Sequence, residues 1–184
     1  HPSAFILVSL WAGGYMLQLK DWTSPAGAPV SVSLLQGNIP QDMKWQPDRM
    51  EPTLDAYRDL VVASRARLIV LPETALPLFL HEAPVEYLEG LAAHARHNGG
   101  DVLIGVPERS NSRDYYNSVI SLGVAPTQTY RKSHLVPFGE FIPLKPVFGW
   151  FFDFANIPLL DFARGADTQE PLEIAGQRVA VDIC

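Results

Sequence analysis

The chain has 184 residues, 47% of them hydrophobic and 18% charged, which is enough for one domain with a sizeable core and excludes a disordered chain. Its formal net charge is −6 and no basic block occurs, which argues against nucleic acid as a partner. A single cysteine excludes an internal disulfide framework and a cysteine-based zinc cluster.

The sequence opens at His1, directly in an apolar run, and stops at Cys184 with no turn after it, so it reads as a piece of a longer protein. Residues 4–19, AFILVSLWAGGYMLQL, are apolar apart from Ser9 and Gln18. That is shorter than the roughly 20 residues a bilayer span needs. With an upstream turn missing, residues 1–22 are expected to be the end of a transmembrane helix. Trp11 and Tyr15 would lie near an interface and Lys20-Asp21-Trp22 would mark the exit. A signal-peptide core would need a basic start and a small-residue cleavage site, and neither is present. A buried core helix is the plainer alternative. Residues 23–29, TSPAGAP, read as a linker, and the soluble domain is expected over 30–184.

Residues 30–35, VSVSLL, alternate and predict a strand. The loop QGNIP follows and leads to Lys44-Trp45. Asp48 is placed to cap a helix running to about Arg65, with Met50, Leu54, Tyr57, Leu60 and Val61 on one face. Residues 67–71 form a short apolar strand of the doubly buried kind, ending in Pro72-Glu73. Pro84 opens a second helix that Asn98-Gly99-Gly100 ends. Strands are predicted at 101–106, 115–122 and 127–131, then an irregular aromatic and proline-bearing stretch over 136–157. A hairpin of 172–174 and 178–184 closes the chain around a turn at 175–177. Strand–helix–strand–helix followed by strands is an α/β pattern with helices over a sheet. It places Glu73 and Cys184 at strand ends, the edge where open α/β sheets bind ligands.

The stretch 130–143, YRKSHLVPFGEFIP, gathers Lys132, His134 and Glu140 in one bend. Such a pair is a solvated ion pair or part of a site. Lone cysteines are mostly small buried hydrophobes. Cys184 becomes a nucleophile only if a base or cation favours its thiolate, and Asp182, on the same strand face, has the wrong sign for that. Lys132 could stabilise that thiolate or donate to the oxyanion of a tetrahedral intermediate. Glu73 could cap the following turn through Thr74; at the mouth of the sheet, partly buried, it would suit a general base. Glu140 could orient the lysine. A Cys184–His134 dyad explains less of the sequence than the carboxylate–lysine–cysteine set.

The segments LPETALP, YYNS, YRKSHLVPFGEFIP and the closing VAVDIC resemble the nitrilase (carbon–nitrogen hydrolase) superfamily over about residues 30–184. The long HLVPFGEFIP form, with KW after LLQGNIP, closely resembles the apolipoprotein N-acyltransferase family within it. The resemblance implies an α-β-β-α sandwich, incomplete here at its C-terminal side. It implies Glu73 as general base, Lys132 as oxyanion stabiliser, Cys184 as nucleophile and Glu140 in support. It also implies Trp45 in a loop that engages substrate. The family continues Tyr-Glu after the cysteine, and this sequence stops before that point.

The implied reaction is acyl transfer from a phospholipid, through a thioester on Cys184, to the amine of a diacylglyceryl-cysteine lipoprotein. It needs no metal or organic cofactor. The implied setting is the bacterial inner membrane, with this domain on the periplasmic face. The aromatic stretch 138–154, including Phe138, Trp150 and Phe151, is then expected to dip into the interface and guide acyl chains, against a plainer role as satellite core. The alternatives are a nitrilase-type amidase acting on a small amide or nitrile, and a catalytically silent module that binds lipid or a partner. The piece by itself is expected to be inactive.

Overall fold

A computed structural model describes residues 2–25, 27–40, 44–110, 114–137, 139–141 and 162–184. Its first element is helix α1 (Pro2–Gln18). This helix is apolar around its circumference, and Phe5, Leu10, Trp11, Tyr15 and Met16 are all exposed. Among the described residues no helix is long and apolar enough to cross a membrane.

The remaining elements are β1 (Val32–Leu34), α2 (Pro47–Ala63), β2 (Leu68–Val70), α3 (Val85–His97), β3 (Asp101–Ser110), β4 (Asp114–Gly123), β5 (Thr129–Arg131), β6 (Leu172–Ile174) and β7 (Gln177–Val179). Strands β1 to β5 form one sheet in that order. β1, β2 and β3 run parallel, joined through α2 and α3, while β4 returns antiparallel to β3 and β5 antiparallel to β4. The sheet is therefore mixed, and β2, β3 and β5 point the same way.

Helix α2 starts one residue before Asp48, with Pro47 in its first turn and Gln46 as the extended residue ahead of it. A proline costs nothing there because that N–H has no helical partner, so Asp48 lies in the first turn and does not cap. The closing hairpin is also shorter than expected. β7 stops at Val179, and residues 180–184 run on without a ladder partner. Its turn is made by Ala175 and Gly176, both with positive φ.

Alternation along the strands divides the core in two. Ile69, Val102, Ile104, Val106 and Ile120 face α2 and α3, where Tyr57, Val61, Leu91 and Ala95 complete one cluster. Leu68, Leu103 and Val119 face the other way, against Leu172, Ile174 and Ile183. The second cluster carries the last residues of the chain across the sheet. Ile183 is buried, so its neighbours Asp182 and Cys184 point outward.

Candidate active site

Glu73 sits where β2 stops. Leu71 still donates to the Leu103 carbonyl. Pro72 then has no N–H to extend the ladder, and the chain turns over β3 at Gly105. A Cβ at Gly105 would lie 2.2 Å from the Pro72 carbonyl oxygen, so only glycine lets this turn pass. Thr74 follows with φ 48°, a left-handed conformation that a β-branched residue rarely adopts. The turn is thus held by its surroundings against local preference. Lys44, from the loop after β1, donates from Nζ to the Glu73 carbonyl at 3.2 Å. Burial pulls the Lys44 ammonium below the ordinary lysine value, and the charge of Glu73 opposes that. Lys44 and Glu73 share a cavity of about 210 Å³ with Gln36, Asn38, Thr53 and Tyr57.

Lys132 follows β5 directly. Its N–H donates to the Asn117 carbonyl at 2.8 Å, and its own carbonyl accepts from Gly165 at 2.9 Å. These bonds fix the backbone on both sides. The side chain is 2% exposed and is the largest fully buried one among the described residues. A buried ammonium is tolerable only when paired. Here Nζ donates to Glu140 Oε1 at 2.8 Å and to the Cys184 carbonyl at 2.6 Å, and lies 3.8 Å from Glu73 Oε1. Two of its three protons are committed, which leaves one for a further acceptor.

Glu140 is held in turn by the bend of the 130–143 stretch. Its N–H donates to the Val136 carbonyl, and its Oε2 accepts the Val136 N–H at 2.8 Å. One carboxylate oxygen is thereby fixed to its own loop and the other to Lys132. Upstream, Arg131 forms a two-pronged pair with Glu108, at 2.9 and 2.6 Å. That guanidinium holds the Glu108 carboxyl below its ordinary value, and the pair clamps β5 to β3 one residue before Lys132.

The structure thus brings Glu73, Lys132, Glu140 and the main chain of Cys184 together from three separate stretches. Cys184 is exposed, contrary to what most lone cysteines do, and it meets Lys132 through its carbonyl. Glu73 is only partly enclosed, its side chain 42% exposed. It is partnered instead, because Asn117 Nδ2 donates to Glu73 Oε1. His134 lies apart from this group, with Nδ1 3.2 Å from Ser133 Oγ. It lines a mostly apolar cavity of about 440 Å³ with Leu135, Phe141, Phe162 and Arg164. Trp45 is 53% exposed, next to the lysine that reaches Glu73. Phe138, Trp150 and Phe151 lie outside the described residues. Among the described residues no group of three or more His, Cys, Asp or Glu side chains is placed to hold a metal ion.

Sequence reasoning did not single out Asn117 or Lys44 as site residues. For Asn117 the available signal was an amide in the middle of a strand otherwise reading as buried, which is an expensive place for a polar side chain.

The carbon-nitrogen hydrolase family model matches residues 31–184. The chain belongs to that family. As a member of that family it has the nitrilase-like α/β fold with a mixed sheet. It is 58% identical over 179 residues to an apolipoprotein N-acyltransferase of Nitrosomonas europaea, covering 97% of this chain and 36% of that one. It is 45% identical over 175 residues to an apolipoprotein N-acyltransferase of Chromobacterium violaceum, covering 95% and 34%. The chain therefore spans about a third of the length of these curated relatives. Among solved structures, a carbon-nitrogen hydrolase from Helicobacter pylori G27 superposes with a TM-score of 0.46 at 17% identity, covering 78% of this chain and 47% of that one.

Proposed function

We propose that this chain carries the acyl-transferring site of an apolipoprotein N-acyltransferase, with Glu73, Lys132 and Cys184 as its reacting groups. The kinship with the two relatives supports the activity. The observation that carries the site is the buried Lys132 ammonium, bonded to Glu140 and to the Cys184 main chain and facing Glu73.

Glu73 takes the proton from the Cys184 thiol, and Sγ attacks the carbonyl carbon of a phospholipid ester. The uncommitted proton of Lys132 meets the oxygen that becomes negative. The carbon–oxygen bond breaks, lysophospholipid leaves with a proton returned from Glu73, and a thioester remains on Cys184. The free amine of a diacylglyceryl-cysteine then attacks the thioester carbon and forms the amide, and the thiol is regenerated. Glu140 holds the Lys132 ammonium aimed throughout. Trp45, exposed beside this group, contributes contact area to the incoming substrate. The aromatic stretch 138–154 leads the acyl chains toward Cys184, with Phe138, Trp150 and Phe151 as its contact residues.

The same reading gives α1 a place. A helix apolar on every face is stable in hydrocarbon and costly in water. Its exposed Phe5, Leu10 and Trp11 support its being the end of a bilayer span, with residues 23–29 linking it to an α-β-β-α domain outside the bacterial inner membrane.

Trapping tests the proposal. The full-length protein is incubated with acyl-labelled phospholipid, and label removable by hydroxylamine is expected on Cys184 and absent from Cys184→Ala. No such label, or hydrolysis of small amides without transfer from phospholipid, would overturn it.

A further inference from the structure

Asn117 joins the two elements that carry the site. Its main-chain carbonyl accepts the Lys132 N–H, and its side-chain amide donates to Glu73 Oε1. The residue is 5% exposed, and its Oδ1 has no hydrogen-bond partner among the described residues. A buried amide with one atom unpaired is less stable than an apolar side chain of the same shape. Packing therefore gives no reason for an asparagine here, whereas its contact with Glu73 does.

That contact sorts the two oxygens of the carboxylate. Oε1 takes the Asn117 amide and faces the Lys132 ammonium at 3.8 Å. Oε2 accepts no hydrogen bond among the described residues, and the side chain is open to solvent. We infer that Asn117 is a positioning residue that commits Glu73 Oε1 to the lysine side and leaves Oε2 as the oxygen that takes the thiol proton. The S–H bond breaks, the proton passes to Oε2, and the electron pair stays on Sγ to attack the ester carbon. This rests on the reading of Glu73 as the base. The other charged or titratable groups about Glu73 are Lys132, Lys44 through the Glu73 carbonyl, Glu140 across Lys132, and Cys184.

The test is the rate of Cys184 alkylation by iodoacetamide against pH in the full-length protein, for the parent, Asn117→Leu and Glu73→Gln. Losing the amide donor beside a half-exposed carboxylate is expected to move the acid limb of the profile up by about 0.5–1 pH unit. Thermal unfolding confirms that Asn117→Leu is folded, and Asn117→Ala carries the same expectation if it is not. A role in packing alone would change the melting temperature and leave the limb where it is. An unmoved limb in a folded Asn117 variant overturns the inference when Glu73→Gln does move the limb. If Glu73→Gln keeps the limb and the plateau, the base is another group, and the reading beneath the inference fails instead.

Discussion

Glu140→Gln is the substitution on which the account of Lys132 depends most directly. The change keeps shape and volume but removes one charge. It cannot satisfy both partners of the carboxylate. Oε1 accepts from Lys132 Nζ and Oε2 from the Val136 N–H, so an amide must turn its NH2 group toward one of these donors. The pair is enclosed, with side chains 2% and 14% exposed, and water cannot take over the lost bond. Breaking a buried pair costs about 3–5 kcal/mol. Because Lys132 keeps the Cys184 carbonyl, the lower end applies, about 3 kcal/mol. For a domain of this size each kcal/mol moves the melting temperature by about 2–4 °C, so a fall of roughly 6–12 °C is expected. Thioester formation should fall by about 100-fold, since the lysine loses the group that aims it. The assay is thermal unfolding with single-turnover acylation across the cycle of parent, Lys132→Met, Glu140→Gln and the double variant. A coupling of about 2 kcal/mol or more is expected for groups in direct contact. Additivity within about 0.5 kcal/mol, with Glu140→Gln melting within about 2 °C of the parent, would refute the reasoning.

Gly105→Ala should disrupt the Glu73 turn, because the new Cβ would meet the Pro72 carbonyl at 2.2 Å with backbone on both sides. A lower melting temperature together with loss of thioester formation checks it. Glu108→Gln should lower the melting temperature by about 2–4 °C at pH 7, from the loss of about 1 kcal/mol in a partly exposed two-pronged pair. Since Arg131 holds the Glu108 carboxyl below its ordinary 4.5, this stabilisation is present above that value and is lost as the pH falls through the folded value. The gap between parent and variant should therefore narrow progressively as melts are taken below pH 4.5. Trp45→Ala should leave the melting temperature within about 1 °C, because the side chain is 53% exposed. It should also weaken transfer to the lipoprotein acceptor by roughly tenfold, read as a rise in KM with Cys184 acylation unchanged.

Local pattern was enough to read most of the elements. Alternation at 30–35, the three- and four-residue steps from Met50 to Val61, and Asn98-Gly99-Gly100 after the second helix each act within a few residues. The misreadings were local too. Asp48 and Pro47 compete for the start of α2, and proline, with no N–H to satisfy, takes the first turn. The strand expected over 178–184 shrank to Gln177–Val179 because its partner β6 is only three residues long. A ladder cannot outrun its partner.

The amino-acid sequence by itself determined the residue types of the site and their order along the chain, together with the α/β alternation and the resemblance to the nitrilase superfamily. It also determined that Glu140 lies within one bend of Lys132. Tertiary structure alone decided how these groups meet. It left Glu73 partly exposed and partnered by Asn117, and drew Asn117 and Lys44 into the group. The physical reason is distance along the chain. Asn117 lies 44 residues from Glu73, and Cys184 lies 52 from Lys132. Such contacts follow from sheet register and from which face of the sheet the last hairpin covers, and neither property resides in any short stretch of sequence.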